Sequence, residues 1–184
     1  MSSHQLSKVY TDLNVSPVST FAGTAPSFPV YKETTTEIQM PKFYGERVFG
    51  KTNRYAKGTS NCTTIDLKFN GNLRDYQTKI VDDIQGELHE NKRCLLCAFT
   101  GSGKTVVALN VISQLSKKTL IVVHKNFLME QWRDRIQQFL PSAKIGYIQG
   151  SVCDTKGKDI VIGMIQSLCK KEYKKKVMDF GFTV

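Results

Sequence analysis

The run Ala98-Phe99-Thr100-Gly101-Ser102-Gly103-Lys104-Thr105 has the residue types and spacing to hold a row of phosphates. Such a cradle needs glycine where the backbone turns tightly and approaches an anion. Successive N–H groups and the N-terminus of the next helix then point at the negative charge. Gly101 and Gly103 supply those positions, with Thr100 and Ser102 beside them. Lys104 would reach the outer phosphates as a point charge. The Thr105 hydroxyl would ligate Mg²⁺, which prefers oxygen donors and keeps most of its waters. The pattern is a Walker A phosphate loop whose first glycine is replaced by Ala98, and it implies a nucleoside triphosphate.

A phosphate loop of this kind is expected between a strand that leads into it and a helix that caps the anion. Cys94 to Phe99 is a short apolar run, which predicts a strand covered on both faces of a parallel sheet. Thr105 to Leu115 reads as the helix. Before the loop, Leu73, Tyr76, Ile80, Ile84 and Leu88 recur at three- and four-residue steps and mark an amphipathic helix. After it, Thr119–Val123 reads as a strand, Phe127–Phe139 as a helix stopped by Pro141, and Lys144–Ile148 and Asp159–Ile162 as two further strands. A helix from about Met164 and a final apolar run from Phe180 complete the order. Alternating strands and helices predict an α/β fold with a doubly wound parallel sheet flanked by helices.

The 184 residues carry 26 Lys+Arg against 16 Asp+Glu, a net charge of +10, which favours an anionic partner such as nucleic acid. No run approaches the roughly 18 to 20 apolar residues that span a bilayer, and residues 1–10 lack the apolar core of a secretory signal. The expectation is therefore an intracellular protein, cytoplasmic or nuclear, with no membrane partner. Five cysteines at irregular spacings fit reduced thiols. Cys94 and Cys97 have the spacing of half a zinc site, but without a second pair they are expected in the core. Residues 1–40 are rich in Ser, Thr and Pro without apolar period and are expected to form a disordered tail. Residues 41–72 mix aromatic and basic side chains (Phe43, Tyr44, Arg47, Phe49, Lys51, Arg54, Tyr55, Lys57) and end in an alternating run, Thr64 to Phe69, that reads as a strand. Those aromatics suit either stacking on bases or packing against the following domain.

Leu73-Arg74-Asp75-Tyr76-Gln77, one helix before the phosphate loop, resembles the adenine-reading motif of superfamily 2 helicases, in the branch related to type III restriction subunits. Leu120 to Trp132 looks like motif Ia of the same superfamily, Gln149-Gly150 falls at its motif Ib, and Asp159 to Leu168 resembles the strand and turn that follow. The resemblance covers residues 73–184. It implies a P-loop, RecA-like ATP-binding domain using ATP and Mg²⁺, with Gln77 reading adenine, and His124, Lys125, Asn126, Gln149, Gly150, Gln166 and Ser167 facing nucleic acid, DNA before RNA. Met164 stands where the family usually has a threonine hydroxyl, so the contact is expected at Gln166 and Ser167 instead. The stretch Pro41 to Gly50 is weakly similar to the lead-in of helicases from large DNA viruses.

Superfamily 2 motors also carry an Asp-Glu pair that holds the Mg²⁺ water shell and orients the attacking water. None lies between Met164 and Val184, and Glu172 and Asp179 are poor substitutes. The sheet is thus expected to be incomplete at its C-terminal end. A second RecA-like domain is expected to be a partner if the gene is split, and these residues alone are expected to turn over ATP slowly or not at all. The alternative is a non-catalytic basic module that binds nucleic acid. The lysines of 170–176 suit a solvated helix end better than a binding site.

Overall fold

The chain is described by a computed structural model covering residues 2–16, 26–50, 62–170 and 179–184. It divides into two compact units, residues 1–57 and 58–184. The boundary therefore falls inside the expected 41–72 segment.

In the first unit, helix α1 (Ser3–Asp12) starts at a reciprocal cap. Ser2 Oγ accepts the Gln5 N–H and Gln5 Oε1 accepts the Ser2 N–H. Two short antiparallel ribbons follow, β1 (Asn14–Val15) with β2 (Phe28–Pro29) and β3 (Lys32–Glu33) with β4 (Ile38–Gln39). Helix α2 (Lys42–Phe49) closes the unit. Val9, Leu13 and Tyr44 are buried together, with Tyr31, Ile38, Met40, Val48 and Phe49 packed around them. The Tyr44 hydroxyl donates to Asp12 at 2.9 Å and that of Tyr10 to Glu33 at 2.8 Å. This corrects the expected disorder of residues 1–40 wherever they are described. Val9 and Leu13 lie four apart on α1 and at its C-cap, a helical stripe too short to stand out in a stretch rich in Ser, Thr and Pro, and Tyr31, Ile38 and Met40 join them around Tyr44. Residues 17–25 lie outside the described residues, as do Lys51, Arg54, Tyr55 and Lys57.

The second unit is built on a sheet. Strand β5 (Thr119–Val123) lies between β8 (Ile160–Met164) and β9 (Phe182–Thr183). Beyond β8 come β6 (Ile145–Gln149) and the short β7 (Val152–Cys153). All pairings are parallel except the β6–β7 hairpin. Helices α3 (Asp75–Asn91), α4 (Lys104–Leu115), α5 (Asn126–Phe139) and α6 (Ile165–Lys170) complete the unit. Helices α4 and α5 and strands β5, β6 and β8 fall within one or two residues of their predicted bounds, because each buries apolar residues whose pattern is visible in the sequence. Helix α4 is apolar on two faces and is covered twice. Leu109 and Ile112 join the main core of Ile121, Ile136, Leu140, Ile160 and Ile162, while Val107 and Val111 meet Val81 of α3. Truncating a fully buried isoleucine there, such as Ile162→Ala, would cost about 2–5 kcal/mol.

Two expectations fail. Thr64 to Phe69 runs extended, with Ile65 and Leu67 buried in the main core, but its only strand-like pairing is a bridge between Thr64 and Lys117. Cys94 to Phe99 forms no strand, and Leu95 and Phe99 are 87% and 74% exposed. A buried strand needs a partner along its length, and β9, an edge strand of the sheet, is only two residues long. Only Leu96 reaches a core, beside Val81, Val107 and Phe182. Cys94 and Cys97 are consequently exposed free thiols, not core residues. Partial desolvation and the nearby Glu87 carboxylate raise the pKa of the Cys94 thiol above its ordinary value.

Candidate functional site

The phosphate loop turns through Gly101 (φ +83°) and Gly103 (φ +82°), left-handed conformations that side chains resist, and α4 starts at the next residue. A Cβ on Gly103 would collide with the Gln77 amide. Lys104 Nζ donates to the carbonyls of Ala98 (2.8 Å) and Phe99 (2.9 Å), so the ammonium is held inside the curve of its own loop. Ser102 is buried, and its Oγ has no hydrogen-bond partner among the described residues. An orphaned buried hydroxyl, turned glycines and a helix N-terminus together fit an anion. Thr105 lies half-buried in the first turn of α4, and Thr100 is exposed in the turn before. Among the described residues no group of three His, Cys, Asp or Glu could hold a metal, so a cation at Thr105 would need phosphate oxygens as further ligands.

Gln77 is buried against this loop. Its Oε1 accepts the Arg74 N–H and its Nε2 donates to the Ser102 carbonyl, both at 3.0 Å. These partners orient the carboxamide without ambiguity. They use one of its two protons and one of its two lone pairs. The Tyr76 hydroxyl donates to the same Ser102 carbonyl at 3.0 Å and accepts from Arg74 Nη1 at 3.2 Å. Helical spacing places Tyr76 with the apolar stripe, yet it serves as a polar strut on the phosphate loop. Its only sequence signal is its place next to Gln77.

At the C-terminal ends of β5, β6 and β8 the structure brings the remaining expected residues together. Gln166 Nε2 donates to the His124 carbonyl at 2.9 Å, Gln149 Nε2 to Asn126 Oδ1 at 2.6 Å, and the Gly150 N–H to Ser167 Oγ at 2.8 Å. Three turns far apart in sequence become one exposed polar ridge. Helix α5 begins on it with Lys125 as an extended N-cap, no side-chain cap and no acid in its first turn, an arrangement that accepts an anion. Met164 is half-buried and packs on the main core. Trp132 also packs there.

A further polar cluster escaped the sequence reading. Lys118, 4% exposed at its side chain, donates to Asp179 at 2.6 Å and to the Thr155 carbonyl at 2.8 Å. The Thr63 hydroxyl donates to the other Asp179 oxygen at 2.6 Å. Burial pushes the Asp179 carboxyl up, but the hydrogen bonds from Lys118 and Thr63 and the Lys118 charge together outweigh it and hold its pKa below the usual 3.8. Asp179 is thus committed to the N-terminal edge of the sheet. Glu172 and the lysines at 171 and 174–176 lie outside the described residues.

Residues 70–182 match the family described as "Type III restriction enzyme, res subunit". The chain is 34% identical over 158 residues to "Putative ATP-dependent RNA helicase L396" of Acanthamoeba polyphaga mimivirus, covering 85% of this chain and 30% of that protein. That alignment is longer than the second unit, so the likeness reaches into the first. It is 36% identical over 116 residues to "Putative helicase 109L" of Invertebrate iridescent virus 3, covering 61% of this chain and 35% of that one. The chain thus spans about a third of the length of these relatives. Among solved structures it is similar to the "SWI2/SNF2 ATPase core domain" of Sulfolobus solfataricus, with a TM-score of 0.53 and 18% identity over 70% of this chain and 27% of that one. That likeness supports the RecA-like fold. No helix among the described residues is long and apolar enough to cross a membrane.

Proposed function

Because the chain belongs to the type III restriction enzyme res-subunit family, we propose that it is the ATP-binding part of a helicase-type motor, with the phosphate loop holding ATP and the polar ridge holding a nucleic-acid strand. Gly101 to Lys104 would cradle the phosphates, the orphaned Ser102 hydroxyl would gain a partner there, and Thr105 would ligate the Mg²⁺ that arrives with the nucleotide. The spare proton and lone pair of the Gln77 carboxamide suit the N7 acceptor and N6 donor of adenine. The observation that carries this reading is the Ser102 carbonyl shared by Tyr76 and Gln77, which joins the base-reading segment to the phosphate loop.

Titration of the full chain with fluorescent ATP and GTP analogues tests it. Wild type binds ATP in preference to GTP, Lys104→Ala loses at least about tenfold in affinity for both, as removal of a charged hydrogen-bonding partner implies, and Gln77→Ala loses the preference. Unchanged nucleotide binding in Lys104→Ala would sink the reading.

The 184 residues offer no Asp-Glu pair after Met164, and Asp179 is bonded elsewhere. The net charge of +10 and the exposed ridge also suit a second reading, a nucleic-acid-binding module without catalysis. Salt-dependent DNA binding indifferent to ATP and to Lys104→Ala would favour it. DNA is the first strand to test, with RNA beside it because the mimivirus relative is named an RNA helicase.

A further inference from the structure

Helix α5 is amphipathic, and it spends its apolar side chains on the core. Met129 and Ile136 are buried, and Leu128, Trp132 and Phe139 pack against them. Phe127 stands apart from this face. It is 60% exposed in the first turn, between Asn126, whose side-chain oxygen accepts from Gln149, and the half-buried Leu128. The Lys125 ammonium lies 6.0 Å from the centre of its ring. A phenylalanine that stays in water forgoes the burial its ring ordinarily takes, and here it does so beside a helix N-terminus without an acidic cap.

We propose that Phe127 is a stacking platform for an unpaired nucleobase, and that the strand carried by the ridge is therefore single-stranded. The inference rests on the reading of the ridge as a nucleic-acid surface and specifies what that surface takes. The α5 N-terminus, Lys125 and Asn126 offer N–H groups and positive charge to a phosphate. The adjacent ring offers a π face to the base that the phosphate carries. Every base has such a face, so the contact tolerates any sequence. In a duplex those faces are stacked on one another and do not reach a ring standing on a protein surface. Lys125 strengthens the seat twice, as a partner for phosphate and as a cation near the ring.

Fluorescence anisotropy on the full chain separates the two claims. The probes are an oligo(dT) of about 20 nucleotides, long enough for several site sizes of a single-strand binder, an abasic oligomer of equal length with the same phosphates, and a blunt duplex. Wild type should bind oligo(dT) about tenfold more tightly than the abasic strand. Phe127→Ala should erase that difference while keeping wild-type affinity for the abasic strand and the duplex. Phe127→Leu, which keeps an apolar side chain without a π face, should behave as the alanine variant does, and Phe127→Trp should restore the preference. Lys125→Ala should weaken all three probes and lower the salt slope by about one. A wild type that does not distinguish the two strands, as expected if the ring instead docks protein, overturns the proposal. So does a Phe127→Ala or Phe127→Leu variant that keeps the preference. Failure of wild type to bind any probe overturns the reading of the ridge itself, and the stacking role with it.

Discussion

The two ends of the central sheet carry polar clusters of similar make-up and opposite physical character. At the N-terminal end, Lys118, Asp179, Thr63 and the Thr155 carbonyl satisfy one another, and the lysine is withdrawn from water. At the C-terminal end, Asn126, Gln149, Gln166 and Ser167 are also bonded, yet their side chains line a surface. A lysine preceding a strand and a lysine following it, Lys118 and Lys125, differ little as letters. Burial decides that the first holds the fold together while the second is available to a partner. Substitutions at the first end should therefore move stability and leave binding alone, and those at the second should do the reverse.

Among the polar residues of the two ends, the largest expected effect is from Asp179→Ala. It leaves the Lys118 ammonium buried without its counter-charge and should cost about 3 kcal/mol in urea unfolding, with oligonucleotide affinity of the folded protein unchanged. A loss of nucleic-acid affinity in that folded variant would break the contrast. Gln77→Ala should cost about 1–3 kcal/mol, because it strands the Arg74 N–H and one bond to the Ser102 carbonyl. It alone should move both stability and nucleotide preference, since Gln77 stands between structure and ligand.

The pH dependence sharpens the comparison further. Asp179 has a folded pKa below its ordinary value, so its contribution is fully present above about pH 4, the unfolded carboxyl range, and is lost as pH falls through the lower folded pKa. Thermal melts between neutral and strongly acid pH should show Asp179→Asn flattening this loss. An identical acid limb in wild type and variant would exclude Asp179 as its source. The smallest effect belongs to Asn126→Ala, exposed on the ridge. Its stability should change by less than about 0.5 kcal/mol, while oligonucleotide affinity in an equilibrium titration falls a fewfold with the loss of one phosphate-facing group.

Much of this was legible in the letters. The stripe from Leu73 to Leu88, the run Thr119–Val123 and the helix ending before Pro141 all appear where their apolar period places them. The first unit was not read from the letters: Leu6, Val9 and Leu13 make a helical stripe too short to stand out in a stretch rich in Ser, Thr and Pro, and Tyr44 reaches it from a second helix further along the chain. Tyr76 was misread because its place on the helical stripe hides a hydroxyl that reaches the Ser102 carbonyl.

By itself, the sequence determined the turn of the phosphate loop and, from α4 onward, the order of the longer strands and helices. Glycines at Gly101 and Gly103, and apolar residues at regular steps, act on the backbone within a few residues of themselves. Only the tertiary structure decided that Cys94 to Phe99 lies exposed, that Lys118 is buried against Asp179, and that His124, Gln149 and Ser167 share one ridge. Burial and pairing depend on which distant segments arrive at the same place, and that is a property of the assembled chain.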